Sequence, residues 1–178
     1  MNETITERPI CLPDAILRRA LEETVGPEQT ALALQRAGQS SGDILFEHLH
    51  EDSTTGTLAE LGEEVFWERL YTHFVEEGWG GMHFEEIHKG LGSLTSPDWL
   101  EADPNEGAPR PSCHFTTGLL ANLFGRIAEV EIGVLEVECR SKGDLHCRFL
   151  FGGRNALENL YAEIRAGATL EAAIESLG

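Results

Sequence analysis

The feature that most restricts the fold is a pair of alternating segments late in the chain. Residues 130–138 and 145–151 both alternate apolar and polar side chains, which is the pattern of half-buried strands. Between them, Ser141 to Asp144 supplies the small and polar residues typical of a hairpin turn. The sequence therefore predicts an antiparallel β-hairpin, and a turn centred on Gly143 places Cys139 directly opposite Cys147.

Helical patterns precede and follow this hairpin. Apolar residues recur at helical spacing in six segments, residues 13–26, 27–49, 57–77, 113–127, 156–165 and 169–177. Residues 38–42 contain two glycines and are predicted to interrupt the second helix. Met82 to His88 and Leu94 to Leu100 are predicted to be further strands. Because helices and strands are segregated along the chain, the predicted class is α+β, a small twisted antiparallel sheet flanked by N-terminal, central and C-terminal helices.

Size and charge restrict the possible functions. A chain of 178 residues fits one domain over residues 1–178 and is too short for two comfortable ones. Its net charge of −18 repels phosphate backbones and anionic lipids, so we expect neither nucleic acid nor a membrane surface as partner. Without a membrane-length apolar run or a signal-peptide pattern at the N-terminus, we expect the protein in the cytoplasm. In that reducing compartment cysteines are thiols or metal ligands rather than disulfides.

Three cysteines and a glutamate form a candidate metal site. The Cβ atoms of Cys139 and Cys147 should lie about 4.5–5.5 Å apart across the hairpin, which suits two zinc ligands or, after adjustment, a disulfide. Cys113 precedes a helix, whose N-terminus favours a thiolate. On a regular strand Glu136 and Cys139 would point to opposite faces, so Glu136 can join only if a bulge or the strand end intervenes.

These four residues would give a closed, four-coordinate shell of net charge −2, the pattern of a structural zinc. A nearby cation is then expected, and the hairpin offers three candidates, Arg140, Lys142 and Arg148.

Other interpretations of the cysteines stay open. The facing cysteines could be buried free thiols, and His114 or His146 could replace Glu136 as a ligand. Cys11, distant from the others, is expected to be a small buried residue without a role in the site.

Aromatic side chains could line an apolar pocket between helices and sheet, where a small aromatic molecule or a tetrapyrrole would bind. The candidates are Trp67, Phe74, Trp79, Trp99 and Phe115. Core packing is the alternative, in particular for Trp67 and Phe74, which lie on one amphipathic helix. No serine, cysteine or threonine has a nucleophile motif around it, so catalysis is not expected.

Three stretches, residues 113–118, 125–126 and 134–149, resemble the 4-vinyl-reductase domain family, and residues 167–174 are similar to that family's ending. The family includes sensor domains of aromatic-responsive bacterial transcription activators and small proteins linked to bacteriochlorophyll C8-vinyl reduction. The resemblance implies a fold similar to that of TRAPP-type trafficking subunits.

The resemblance also implies site residues. In the sensors, zinc is held by a cysteine, then Glu-x-x-Cys, then a cysteine eight residues on, and these positions match Cys113, Glu136, Cys139 and Cys147. A sensor tryptophan in Ser-Trp-Glu-Ala hydrogen-bonds a phenol hydroxyl, and Trp99 lies in a similar stretch, although the extra Leu100 splits the motif and the link to Cys113 is shorter. No counterpart of the sensors' ligand-binding histidine is found.

From these observations we expect a non-catalytic, zinc-containing module that binds or senses a small aromatic or apolar molecule, as a homodimer. The alternatives are an accessory or carrier protein of chlorophyll or other tetrapyrrole metabolism and an interaction subunit without a small ligand.

Overall fold

The computed structural model describes residues 15–51 and 58–177, so Cys11 lies outside the described residues. Its helices and strands are α1 Ala15–Val25, α2 Pro27–Glu51, α3 Glu63–Glu76, β1 His83–His88, β2 Leu91–Ser96, α4 His114–Ala128, β3 Ile132–Glu138, β4 Cys147–Gly153, α5 Arg154–Arg165 and α6 Leu170–Glu175. Short 3-10 turns lie at Leu58–Glu60 and Arg140–Lys142. Within these residues, none of the helices combines the length and the apolar character needed to cross a bilayer.

The four strands form one antiparallel sheet in the order β1-β2-β4-β3. The predicted α+β class is confirmed. The strand predicted over residues 94–100 was misplaced, because β2 begins at Leu91, directly after a tight turn at Gly90, whose φ of +76° favours glycine. The chain leaves the sheet after Ser96, and the Leu100 amide then donates a hydrogen bond to the Trp79 carbonyl (2.9 Å).

The two faces of the sheet pack against different helices. In β4, Phe149 faces the larger core, which α2, α3 and α4 complete, while its neighbour Leu150 faces a smaller core with α5 and α6. This alternation follows from the two-residue period of a strand. Residues buried in the larger core include Leu45, Leu49, Phe74, Leu119, Leu120 and Leu123.

Helix α2 runs without interruption from Pro27 to Glu51, so the predicted break at residues 38–42 was wrong. The glycines allow α2 to lie backbone-to-backbone against α4 instead. A Cβ on Gly38 would lie 2.0 Å from the Phe115 carbonyl oxygen, and one on Gly42 would lie 2.7 Å from that of Leu119. Gly118 of α4 faces α2 in the same way, and a Cβ on it would lie 2.0 Å from the Gln35 carbonyl oxygen. This packing fixes the position of α4, whose N-terminus carries the candidate site.

The register of the β3–β4 hairpin also differs from the prediction. In the body of the hairpin Leu135 pairs with Leu150. A turn centred on Gly143 would pair it with the next residue of β4 instead. A β-bulge between Glu136 and Glu138 shifts the pairing by one, so that Glu138 pairs with Arg148 in the predicted register. The prediction therefore holds only at the end of the hairpin nearest the turn.

Candidate functional site

The bulge in β3 brings Glu136 and Cys139 to the same side of the hairpin. Their spacing of three residues would place them on opposite faces of a regular strand, and the extra residue, Val137, removes this conflict. The prediction that a bulge or strand end must intervene is confirmed. Cys139 follows the end of β3 and Cys147 begins β4, so both lie beside the N-terminus of α4.

The side chains of Cys113, Glu136, Cys139 and Cys147 form a buried cluster. One donor atom from each lies within 4.8 Å of the other three, and this is the one such group of metal-ligating side chains among residues 15–51 and 58–177. The Cys113 sulfur is 3.9 Å from that of Cys139 and 4.0 Å from that of Cys147. These separations are about twice a disulfide bond length, so the three side chains are free thiols. The cluster could hold a metal ion.

Backbone amides orient two of the four donors. The Cys113 amide donates a 2.8 Å hydrogen bond to Oε2 of Glu136, while Oε1 of the same carboxylate is buried without a hydrogen-bond partner. The Cys139 amide donates to Asp144 (2.8 Å), which folds the turn back on the cysteine. Because a buried carboxylate oxygen without a partner is costly, Oε1 is suited to binding a cation.

Four acidic groups in one buried site perturb each other's ionisation. Burial raises the pKa of the Cys113 thiol well above its usual range, and burial together with the charge on Cys139 raises the pKa of Glu136 to about 9. Hydrogen bonds from Cys113 and Cys147 lower the pKa of Cys139. The hydrogen bond with Cys113 lowers the pKa of Cys147, but the bond to Cys139 and burial outweigh it, and the net shift is upward. Burial and mutual repulsion therefore oppose the ionisation of all four groups together.

The two histidines adjacent to the cysteines lie outside this cluster. His146 pairs through Nε2 with Glu138 at the surface of the hairpin. His114 is the first residue of α4, and burial lowers the pKa of its imidazole. In the structure Glu136, rather than either histidine, completes the group.

Two of the three cations expected near the cluster have other partners. Lys142 pairs with Asp144 (2.8 Å), and Nε of Arg148 donates to the hydroxyl of Ser93 (2.9 Å). Arg18 of α1, which the sequence analysis did not identify, is instead buried next to the site. The one signal in the sequence is its place in an amphipathic helix, where a charged residue faces inward.

The candidate pocket residues divide into two groups. Phe74, Trp79, Trp99 and Phe115 are buried and pack on one another, with Trp99 5.1 Å from Phe74 and 5.3 Å from Trp79 between ring centroids. Phe115 stacks on Trp79 at 5.7 Å. We call these four residues the aromatic cluster. Trp67 belongs to a neighbouring group with Phe66, Phe84, Phe124 and Phe151.

A buried hydrogen-bond chain connects the aromatic cluster to the start of α4. Nε1 of Trp99 donates to Oγ1 of Thr116 (2.7 Å), and that hydroxyl donates to the carboxylate of Glu101. Glu101 also accepts the amides of Phe115 (2.9 Å) and Thr116 (2.8 Å), so it caps the helix from a distant segment. Burial raises the pKa of Glu101 to about 7. Sequence reasoning missed both polar residues, although the motifs it used contain them.

Two open grooves lie elsewhere on the described part of the chain. One of about 430 Å³ separates α2 from α3 and is lined by polar residues that include His48, Arg69, His73 and Glu76. The other, of about 360 Å³, runs beside α4 and includes Asn122 and Glu131. Neither includes a residue of the aromatic cluster.

Residues 101–152 match the family model of the 4-vinyl-reductase domain. The resemblance to this family is confirmed over the matched segment, which contains Glu101, Thr116 and the four residues of the candidate metal site. Comparison with the curated proteins found no match.

Among solved structures, the chain is similar to the phenol-responsive sensory domain of the transcription activator PoxR, in a crystal structure with phenol. The TM-score is 0.65 at 21% sequence identity, over 86% of this chain and 79% of that one, which shows a shared fold. It also matches a vinyl-4-reductase family protein from Methanocaldococcus jannaschii with a TM-score of 0.42 and 23% identity, over 61% of this chain and 73% of that one.

Proposed function

We propose that the protein is a non-catalytic small-molecule-binding module whose fold is held together by zinc. The observation that carries the metal part is the burial of three sulfurs and one carboxylate within 4.8 Å of one another. Tetrahedral zinc with bonds of about 2.3 Å places its sulfur ligands about 3.8 Å apart, and the two sulfur–sulfur separations from Cys113 in the structure are 3.9 and 4.0 Å. Thiolate-rich donor sets select zinc over magnesium or calcium.

The proposed role of the metal is structural. When bound, zinc supplies the positive charge that lets three thiols and a carboxylate ionise together in a buried site. Four protein ligands leave no open position for substrate or water, unlike catalytic zinc sites. The ligands come from the start of α4 and from both strands of the hairpin, so the metal would tie these elements together.

We propose the aromatic cluster, around Trp99, as the place where a small aromatic or other apolar molecule binds. Three observations support this: the match to the family model, the fold shared with a phenol-responsive domain, and the indole donor of Trp99 within an apolar environment. The cluster is closely packed, and Trp99 is bonded to Thr116. A ligand must therefore displace a ring to enter, and its hydroxyl would replace one bond in the Trp99–Thr116–Glu101 chain.

Native mass spectrometry with metal analysis, on protein purified from its own host, tests both parts. We expect one zinc per chain, and its loss in Cys139→Ser but not in Cys11→Ser, the matched control at a cysteine that is not a proposed ligand. Full zinc content in the Cys139→Ser variant would contradict the metal assignment. The same spectra test the predicted homodimer.

The ligand is tested with phenol as the probe. Phenol should quench tryptophan fluorescence of the zinc-loaded protein. Trp99→Phe should weaken the affinity for phenol at least tenfold, whereas Trp67→Phe should leave that affinity unchanged. An equal effect of both substitutions would contradict the assignment. A co-purifying pigment mass, in place of a small organic mass, would favour the alternative of a tetrapyrrole carrier.

A further inference from the structure

Helix α1 places a buried arginine beside the metal cluster. Arg18 is 2% exposed, and its Nη1 donates to the carbonyl oxygen of Ser112 (3.2 Å) and to the Ser112 hydroxyl (3.1 Å). Its Nη2 pairs with the carboxylate of Glu106. These bonds tie α1 to a segment about ninety residues later, immediately before the metal donor Cys113.

The same contacts lead to a sulfur of the cluster. The Ser112 hydroxyl lies 3.8 Å from the sulfur of Cys139. Because that hydroxyl also accepts from Arg18 at 3.1 Å, the guanidinium lies within about 7 Å of the sulfur. At this distance, in a buried environment, a cation and an anionic shell attract each other with little screening by salt.

Burying a guanidinium is costly unless it is fully paired. Glu106 pairs with it, but 20% of that side chain is exposed, so water screens the charge of Glu106 more than that of the buried guanidinium. A zinc shell of three thiolates and one carboxylate would carry net charge −2, which Arg18 is placed to offset. The nearby Lys142 is paired with Asp144 and is one-third exposed.

We propose that Arg18 is a positioning residue that balances the charge of the metal shell and thereby couples metal occupancy to the docking of α1. This inference rests on the proposed zinc site. It goes further by assigning a role to a residue that is not a ligand. Coupling of this kind is reciprocal, so zinc stabilises the docked helix by the same factor by which the docked Arg18 stabilises bound zinc.

Two measurements on the full chain test the proposal. The first is the rate of zinc release to a chromogenic chelator, and the second is hydrogen exchange of residues 15–25 with and without zinc. Arg18→Met should accelerate zinc release at least tenfold, and Arg18→Lys, which keeps the charge but not both Ser112 bonds, should give an intermediate rate. In the wild type, removing zinc should accelerate exchange in α1, and this dependence should be lost in Arg18→Met.

Glu106→Gln is the matched control because it removes the other partner of Arg18. If Arg18 acts through its charge on the shell, this variant should release zinc at the wild-type rate or more slowly, since a competing anion is gone. If Arg18 only anchors α1, Arg18→Met and Glu106→Gln should both accelerate hydrogen exchange in α1 and leave the rate of zinc release unchanged. This result would overturn the proposal. A wild-type protein that binds no zinc would overturn the metal assignment as well, so the two failures are distinguishable.

Discussion

The close packing of α2 on α4 leads to a quantitative prediction for Gly118→Ala. Gly118 lies in α4, where its missing side chain lets the Gln35 carbonyl of α2 approach. An alanine Cβ would lie 2.0 Å from that oxygen, whereas ordinary contacts begin near 3.4 Å. Because the obstructing atom belongs to a helix backbone, it cannot rotate away, and the helices must separate by about 1.4 Å.

Two opposing contributions set the size of the effect. Replacing glycine by alanine inside a helix stabilises it by about 1 kcal/mol. Overpacking a core costs about 1–3 kcal/mol, and a separation of this size also weakens the contacts of Leu119, Leu123 and the other apolar side chains at the interface. We place the overpacking cost at or above the upper end of that range, so that Gly118→Ala should lower the free energy of unfolding by about 2–3 kcal/mol.

Gly125→Ala is the matched control on the same helix. Its added Cβ would lie 3.3 Å from the Val130 carbonyl oxygen, which a small adjustment can relieve, so its stability should equal or exceed that of the wild type. Urea unfolding at constant zinc concentration measures the free energy of unfolding of both variants. In thermal unfolding, the two melting temperatures should differ by about 10 °C for a chain of this length. Equal stability of the two variants would refute the close approach of α2 and α4.

Two further predictions concern the polar chain beside Trp99. Thr116→Val removes the acceptor of the Trp99 indole and should cost about 1–3 kcal/mol in urea unfolding, because a buried donor loses its partner. Thr117→Val removes a hydroxyl that bonds the His114 carbonyl of its own helix and should cost less. Equal costs would contradict the role of the hydrogen-bond chain. The Glu101 pKa is raised to about 7 from 4.5, so the fold favours the protonated acid. Stability from this group is complete below about pH 4.5 and is lost as pH rises to about 7, a change of about 3 kcal/mol. Between about pH 5 and 8 the wild type should therefore lose stability relative to Glu101→Gln, whose amide does not titrate. If urea unfolding shows that the free energies of unfolding of the two proteins change with pH in parallel, the pKa shift is contradicted.

Local patterns were sufficient for the hairpin, the helix at residues 114–128 and the α+β class, because strand alternation and helical periodicity are properties of neighbouring residues. The continuity of α2 could not be predicted in this way. Gly38 and Gly42 have the same local signature whether they end a helix or allow another backbone to approach it. The deciding contact, with α4, involves residues nearly eighty positions away.

The grouping of the three cysteines with Glu136 was predictable because cysteines are rare and their chemistry restricts their use, whereas the residues around this candidate metal site were not. Arg18, like Glu101, reaches its place through contacts with distant segments. Trp67 and Phe74 illustrate a limit of periodicity. They lie on one face of α3, but seven residues of helix span about 10 Å, so the two rings pack into different groups.

The first turn of α4 is where the two proposed sites meet. Its free amides are divided between two carboxylates, with Cys113 donating to Glu136 and both Phe115 and Thr116 donating to Glu101. One carboxylate belongs to the proposed metal site and the other to the hydrogen-bond chain that holds Trp99. Since the helix N-terminus carries about half a positive charge, both carboxylates are also stabilised by that same charge. A ligand that moved Thr116 would therefore shift the turn that carries Cys113, and loss of zinc would loosen the partner of Trp99.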